Sequence, residues 1–243
     1  MKRFLFTTLF VGLVLALAVA AVFALKGPDT AAQTAAAEAP TVASPASALA
    51  PASEDKYNAI TMVLDATDDI PDAETLSQQV VGVQEVLRWN PDQQYFESWI
   101  PDAVFPPPGG HGVNFNTQVG EPYLLKVNSS APTVFSLVGD VPPQTGESGA
   151  VQFALKGDAT SCKWNYISLP LDQSSITDAE GLSLAIGDGD DVEEVLMWDA
   201  NQQLFVSWIP DVQFPPPGGH GVNFSTQIGY PYFVCMNTDV VWP

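Results

Sequence analysis

The chain contains one eleven-residue string twice. FPPPGGHGVNF runs from Phe105 to Phe115 and again from Phe214 to Phe224. The match continues on both sides at a fixed offset of 109, and 28 of the 42 positions from Glu85 to Lys126 are identical in the second copy. Such self-similarity requires two copies of one small structural unit, because one large domain has no reason to repeat a hairpin, a loop and a strand in the same order. It also bears on function: a residue that occurs twice can be required by the fold of the module as readily as by chemistry.

Each copy follows the same plan. A strand opens it, over 57–64 and 164–171, and Pro170 places an edge or strand end in the second copy. A short helix follows Asp72 and Asp178, both natural N-caps, with Ala73, Leu76 and Val80 at helical spacing. A hairpin comes next, Val86–Trp89 with Phe96–Ile100 and Val195–Trp198 with Phe205–Ile209. The repeated loop leads to a last strand, Pro122–Val127 or Pro231–Met236. The expected fold is therefore α+β and β-rich: two tandem twisted-sheet or barrel-like modules, each with one short helix. Module 1 is placed at 56–140 and module 2 at 151–243, with a connection at 141–150. Apolar stretches at Thr133–Val138 and Val151–Lys156 are expected to pair as a stiffening strand pair at this junction.

The N-terminal quarter differs. Lys2 and Arg3 precede an uncharged apolar run from Phe4 to Leu25, the pattern of an export segment. Residues 1–26 read as a signal peptide cleaved after Ala24 or as a retained membrane anchor, and either places the remainder outside the cytoplasm, secreted or held at the cell surface. Residues 27–55 are rich in Ala, Pro, Ser and Thr and lack aromatic side chains, so they read as a disordered tether.

The formal charge is −20, from 28 acidic and 8 basic residues. A surface this acidic repels phosphate backbones and anionic bilayers, which removes nucleic acid as a partner and leaves the membrane only through residues 4–25. The two cysteines, Cys162 and Cys235, stand at the two ends of module 2, and in an exported chain they are expected to form a disulfide. Module 1 has Asp55 and Lys126 at the matching positions, where an ion pair is expected.

Three features offer candidate sites. The repeated loop is one: Pro106, Pro107, Pro108 and His111, with Pro215, Pro216, Pro217 and His220, would form a rigid recognition tip, unless the string is only a structural crossover between two core phenylalanines. Trp99 and Trp208 are a second, as an aromatic platform for sugars if exposed, or core residues if not. The acidic stretch 188–194 of module 2 is a third, open to calcium or simply solvated. One histidine per module is too few for a zinc site, and no motif of nucleophilic, metal-dependent or phosphate-binding catalysis occurs, so no catalytic residue, metal or cofactor is assigned.

WNYISLPLD at 164–172, ITDAEGL at 176–182, the Trp198/Trp208 pair and GYPYFVCMN at 229–237 together resemble the "WN-x-ISLP … GYW" modules that occur in tandem in exported bacterial and archaeal surface proteins. Module 1 departs from that pattern at its start, where YNAITMVLD lacks the Trp and Pro. The resemblance implies extracellular display as a non-catalytic binding, adhesion or envelope-structural protein, with an extracellular protein or glycan as partner. A carbohydrate-binding protein is the alternative, and a secreted hydrolase a more distant one.

Overall fold

The duplication is visible in the backbone of the computed structural model, which describes residues 47–48, 55–102, 104, 109–128, 134–187, 190–210 and 219–243. Residues 1–26, most of 27–55, and the six loop prolines lie outside this set.

Module 1 contains β1 (Ser47–Ala48), β2 (Lys56–Thr61), α1 (Ala73–Gln79), β3 (Val83–Asn90), β4 (Tyr95–Ile100), β5 (His111–Gly112), β6 (Pro122–Val127) and β7 (Val134–Phe135). Module 2 repeats the series with β8 (Phe153–Leu155), β9 (Lys163–Ser168), α2 (Ala179–Ile186), β10 (Val192–Asp199), β11 (Leu204–Ile209), β12 (His220–Gly221), β13 (Pro231–Met236) and β14 (Val240–Trp242). Each module forms one open five-stranded antiparallel sheet, in the order β2-β6-β3-β4-β5 and β9-β13-β10-β11-β12.

The helices begin where capping chemistry predicts. Asp72 Oδ1 accepts from the Thr75 amide at 2.8 Å, and Asp178 Oδ1 from the Gly181 amide at 2.7 Å. Each helix lays Leu76 or Leu182 onto one face of its sheet, against Ile60, Val86, Tyr123 and Leu125 or against Ile167, Val195, Tyr232 and Val234. The inner strands β6 and β13, PYLLKV and PYFVCM, are apolar on both faces except at Lys126. Their second faces are covered as well, by the other module.

Two expectations are corrected. The strands at the junction do not pair with each other. β7 pairs with β1, and β8 pairs with β14, so each closes its own module. The reason is packing: Phe135 belongs to the core of module 1, and Leu155 and Trp242 to that of module 2. Consequently module 1 begins at or before Ser47 rather than at 56, and Ser47–Ala48 belongs to a sheet rather than to the tether.

The modules are not beads on a string. Tyr57, Ala59, Leu87, Trp89, Phe96 and Leu124 of module 1 form a single apolar cluster with Trp164, Tyr166, Leu196, Trp198 and Phe233 of module 2. The contacts are reciprocal. Trp89 Nε1 donates to the Trp164 carbonyl at 2.8 Å, and Trp198 Nε1 to the Tyr57 carbonyl at 2.9 Å. Gln94 brackets Trp164, accepting from its amide at 2.9 Å and donating to its carbonyl at 3.0 Å. Gln203 brackets Tyr57 in the same way, at 2.8 and 3.0 Å. Both glutamines hold a positive φ, 56° and 55°, at the last position of a hairpin turn. This αL geometry costs a non-glycine residue about 1 kcal/mol, which the paired bonds across the interface offset. Residue i touching j while j's equivalent touches i's is the signature of a two-fold interface, here within one chain. The layers run helix, sheet, sheet, helix.

Candidate functional site

The repeated loop ends against its own module. Gly110 and Gly219 lie over the indoles of Trp99 and Trp208: a Cβ on Gly110 would stand 2.8 Å from Trp99 Cζ2, and one on Gly219 2.6 Å from the Ile209 carbonyl oxygen. Both glycines have positive φ, 68° and 58°, so the string Gly-Gly-His-Gly is required by the fold at these points. The next residues cap the helix. Asn114 Oδ1 accepts from the Glu74 amide at 2.9 Å and Asn223 Oδ1 from the Glu180 amide at 2.9 Å. Phe115 and Phe224 are buried and stack on Tyr123 and Tyr232 at 5.9 and 6.0 Å. The second half of the loop is thus a structural crossover.

His111 and His220 are exposed, on the outermost strands β5 and β12. Val113 and Val222 beside them are exposed too. Pro106, Pro107, Pro108, Pro215, Pro216 and Pro217 lie outside the described residues. The strand orders fix where the two edges stand. Trp198 joins β10 to β2 and Trp89 joins β3 to β9, so the outermost strands β5 and β12 fall on opposite sides of the overlap. The two histidine-bearing edges lie at opposite ends of the stacked sheets.

Trp99 and Trp208 are not an exposed platform. Only 6% and 4% of their surface remains accessible, because each packs under its own loop glycine and joins the helix-side core of its module. Their indole Nε1 atoms have no hydrogen-bond partner among the described residues. The aromatic cluster at the module interface is committed to holding the modules together.

Cys162 and Cys235 form a disulfide with Cα atoms 5.4 Å apart. At the equivalent place in module 1, Lys126 Nζ stands 3.0 Å from Asp55 Oδ2, as the sequence predicted.

One cluster was not expected. Arg88 makes two bonds from its guanidinium to Glu97 Oε2, lies 4.0 Å from Glu121 Oε1, and sits 4.6 Å above the Phe115 ring. Tyr123 donates to Glu121 Oε2. Burial pushes the Glu121 carboxyl up to about 6, against the lowering pull of the Tyr123 hydroxyl and Arg88. Glu97 is also raised by burial, but the Asn90 amide and Arg88 outweigh this and leave its carboxyl below the usual range. Module 2 has Met197, Val206, Tyr230 and Tyr232 at these positions, so the offset of 109 could have shown the charged set as a single substitution block.

Asp188 of the acidic stretch lies outside the described residues, and two other groups of the stretch are engaged separately. Asp191 Oδ1 accepts from Thr238, and Glu194 accepts from Ser207. No group of three His, Cys, Asp or Glu side chains that could hold a metal occurs among the described residues. A cleft of about 150 Å³ opens at the module junction between Val63, Gly120, Pro143, Val151 and Pro170. Two polar side chains on its wall are already engaged: Ser168 donates to the Gly120 carbonyl at 2.7 Å, and Asp172 accepts from the Thr145 amide at 2.6 Å. Among the described residues no helix is long and apolar enough to cross a membrane. Compared with protein-family models, with curated proteins and with solved structures, the chain matches none.

Proposed function

We propose that this is a non-catalytic, exported surface protein, with a binding, adhesion or envelope-structural role carried by the two outer edges of its module pair. The observation that carries the reading is the contrast between the aromatics and the loop edges. The tryptophans are spent on the core and the interface, whereas His111 and His220 stay exposed at opposite ends of the clasped sheets. Two equal edges on one rigid body suit a bridging role, in which each end meets a separate partner and the second contact is strengthened by the first. The basic-then-apolar N-terminus, the Cys162–Cys235 bond and the resemblance to exported surface modules support placement outside the cytoplasm.

Compartment and binding are tested together. The full chain, expressed in an export-competent host, should be recovered from the envelope or medium with Cys162 and Cys235 oxidised. Cells displaying it should gain adhesion or envelope integrity that the double variant His111→Ala, His220→Ala lacks at unchanged melting temperature. Recovery in the cytoplasm with free thiols overturns the placement. Equal behaviour of the double variant overturns the role of the edges.

A further inference from the structure

The facing sheets are built from equivalent residues, and most equivalents match in size. Tyr57 corresponds to Trp164, Leu87 to Leu196, Trp89 to Trp198 and Phe96 to Phe205. The Trp and Gln bonds that clasp the modules come from side chains present in both copies and end on backbone groups, which any residue supplies. Nothing in this set distinguishes module 1 from module 2.

The centre does. There the cross-strand pair of module 1 is Ala59–Leu124, and that of module 2 is Tyr166–Phe233. The module 2 rings stack at 4.1 Å and form a thick plate. Phe233 then reaches into module 1, edge-on to Trp89 at 5.3 Å and to Phe96 at 5.9 Å. All four central residues are buried. A small pair faces a large pair, and the sum fills the gap.

We infer that this size difference is a pairing code: the face of module 1 accepts the face of module 2, from its own chain or from a second copy, and each rejects its own kind. Two module 2 faces would set the Tyr166–Phe233 plate against itself, which overfills a close-packed core. Two module 1 faces would leave a void at the twofold centre where Phe233 now sits. The Trp and Gln clasp survives in both cases, whereas the Lys156–Asp92 ion pair at 3.3 Å and the Ser168–Gly120 bond at 2.7 Å occur in one direction only, so volume discriminates at the centre and these contacts add to it at the rim. Within one chain the opposite module is always near, which favours the closed form. Between crowded copies the code permits only module 1 to module 2 contacts, which close as reciprocal exchange dimers or extend head to tail. The inference stands whatever the compartment of the protein.

The test uses the full chain with a protease site inserted between Glu147 and Ser148, in the exposed turn of the connection, and cut only after folding. Cut protein is mixed with an isotopically labelled batch and read by native mass spectrometry. Labelled and unlabelled halves should recombine as module 1 with module 2, with like-with-like pairs at least about tenfold rarer. In the second arm, Ala59→Tyr with Leu124→Phe, or Tyr166→Ala with Phe233→Leu, should each weaken association of the cut halves by about tenfold or more. All four changes together should restore most of it. Like-with-like pairs at equal abundance, halves that fail to stay associated, or a fourfold variant no better than its halves would each overturn the code.

Discussion

The two modules share a backbone and differ in how they are fastened. Module 2 ties the start of β9 to β13 with the Cys162–Cys235 bond, whereas module 1 holds the same place, at the start of β2 and in β6, with the Asp55–Lys126 ion pair. Module 1 sets the half-buried Arg88, Glu97 and Glu121 beside Phe115, where module 2 has Met197, Val206 and Tyr230. What stays constant is what the geometry demands: the loop glycines over the tryptophans, the Asn caps, and the Trp and Gln clasps. The fold therefore tolerates a covalent or an ionic fastener at one position and an ionic or an apolar one at another, provided the constant set is kept.

The largest expected effect breaks the strongest fastener. The disulfide closes a loop between residues 73 apart in sequence, worth about 4 kcal/mol in the chain-entropy model. Reduction, or Cys162→Ser with Cys235→Ser, should speed hydrogen exchange in β9 and β13 far more than in β2 and β6. Equal protection before and after reduction would remove the asymmetry. Next comes Arg88→Met, which leaves two half-buried carboxylates without their cation and should cost about 2–3 kcal/mol, below the range for a fully buried pair. Adding Glu97→Val and Glu121→Tyr, which completes the module 2 pattern, should recover that loss, as chemical denaturation of the two variants would show. If the triple variant is less stable than Arg88→Met, the charged set is not interchangeable with the apolar one.

Much of the module was legible because its signals are local. Asp72 and Asp178 announced the helices, Pro170 the end of β9 (which stops at Ser168), and the apolar runs of β6 and β13 their exact spans. The Asp55–Lys126 slot followed from aligning the copies. The interface did not follow, for a physical reason. Trp89 and Leu87 alternate as one face of a strand in either setting, and alternation does not say whether that face meets a helix or another sheet. Gln94 and Gln203 carry no local signal of their role, which depends on a strand more than sixty positions away. Their being Gln in both copies, where the first three turn residues Asn90, Pro91 and Asp92 are replaced, was a signal, though one shared with Gln93 and Gln202. The junction strands do not pair as expected because ladders of two or three residues carry almost no pattern. Their partners were set by Phe135 and Trp242 entering separate cores.

A smaller effect comes from pH and is largest in module 1, although burial also pushes up the Glu194 carboxyl of module 2. Glu121 titrates in the folded chain at about 6, above its ordinary 4.5. A carboxyl raised on folding gives stability that is full below the unfolded value and is lost as pH rises through the folded one. Module 1 should therefore lose up to about 2 kcal/mol between pH 4.5 and 7 from this group. Glu121→Gln keeps an acceptor for Tyr123 and removes the charge, so it should stabilise at pH 7 and change nothing at pH 4.5. A variant with the same pH profile as the parent would show that Arg88 already neutralises the site.

The smallest effect belongs to the ion pair that stands in for the disulfide. Asp55 and Lys126 keep 37% and 28% of their side-chain surfaces exposed, so water and salt screen them. Asp55 also accepts from Asn128 Nδ2 at 3.0 Å. Exposed pairs of this kind contribute about 0–1 kcal/mol. Asp55→Ala should thus shift the denaturation midpoint only slightly, and the shift should shrink as ionic strength rises. The contrast with the cysteine variant in module 2 is the informative quantity. If Asp55→Ala approached the cost of losing the disulfide, the position itself would be the weak point of the module, and any fastener there would matter equally. A small, salt-sensitive loss instead means that module 1 is held mainly by its core and by the Trp and Gln clasp. In that case module 1 depends on module 2 for its fold more than module 2 depends on module 1.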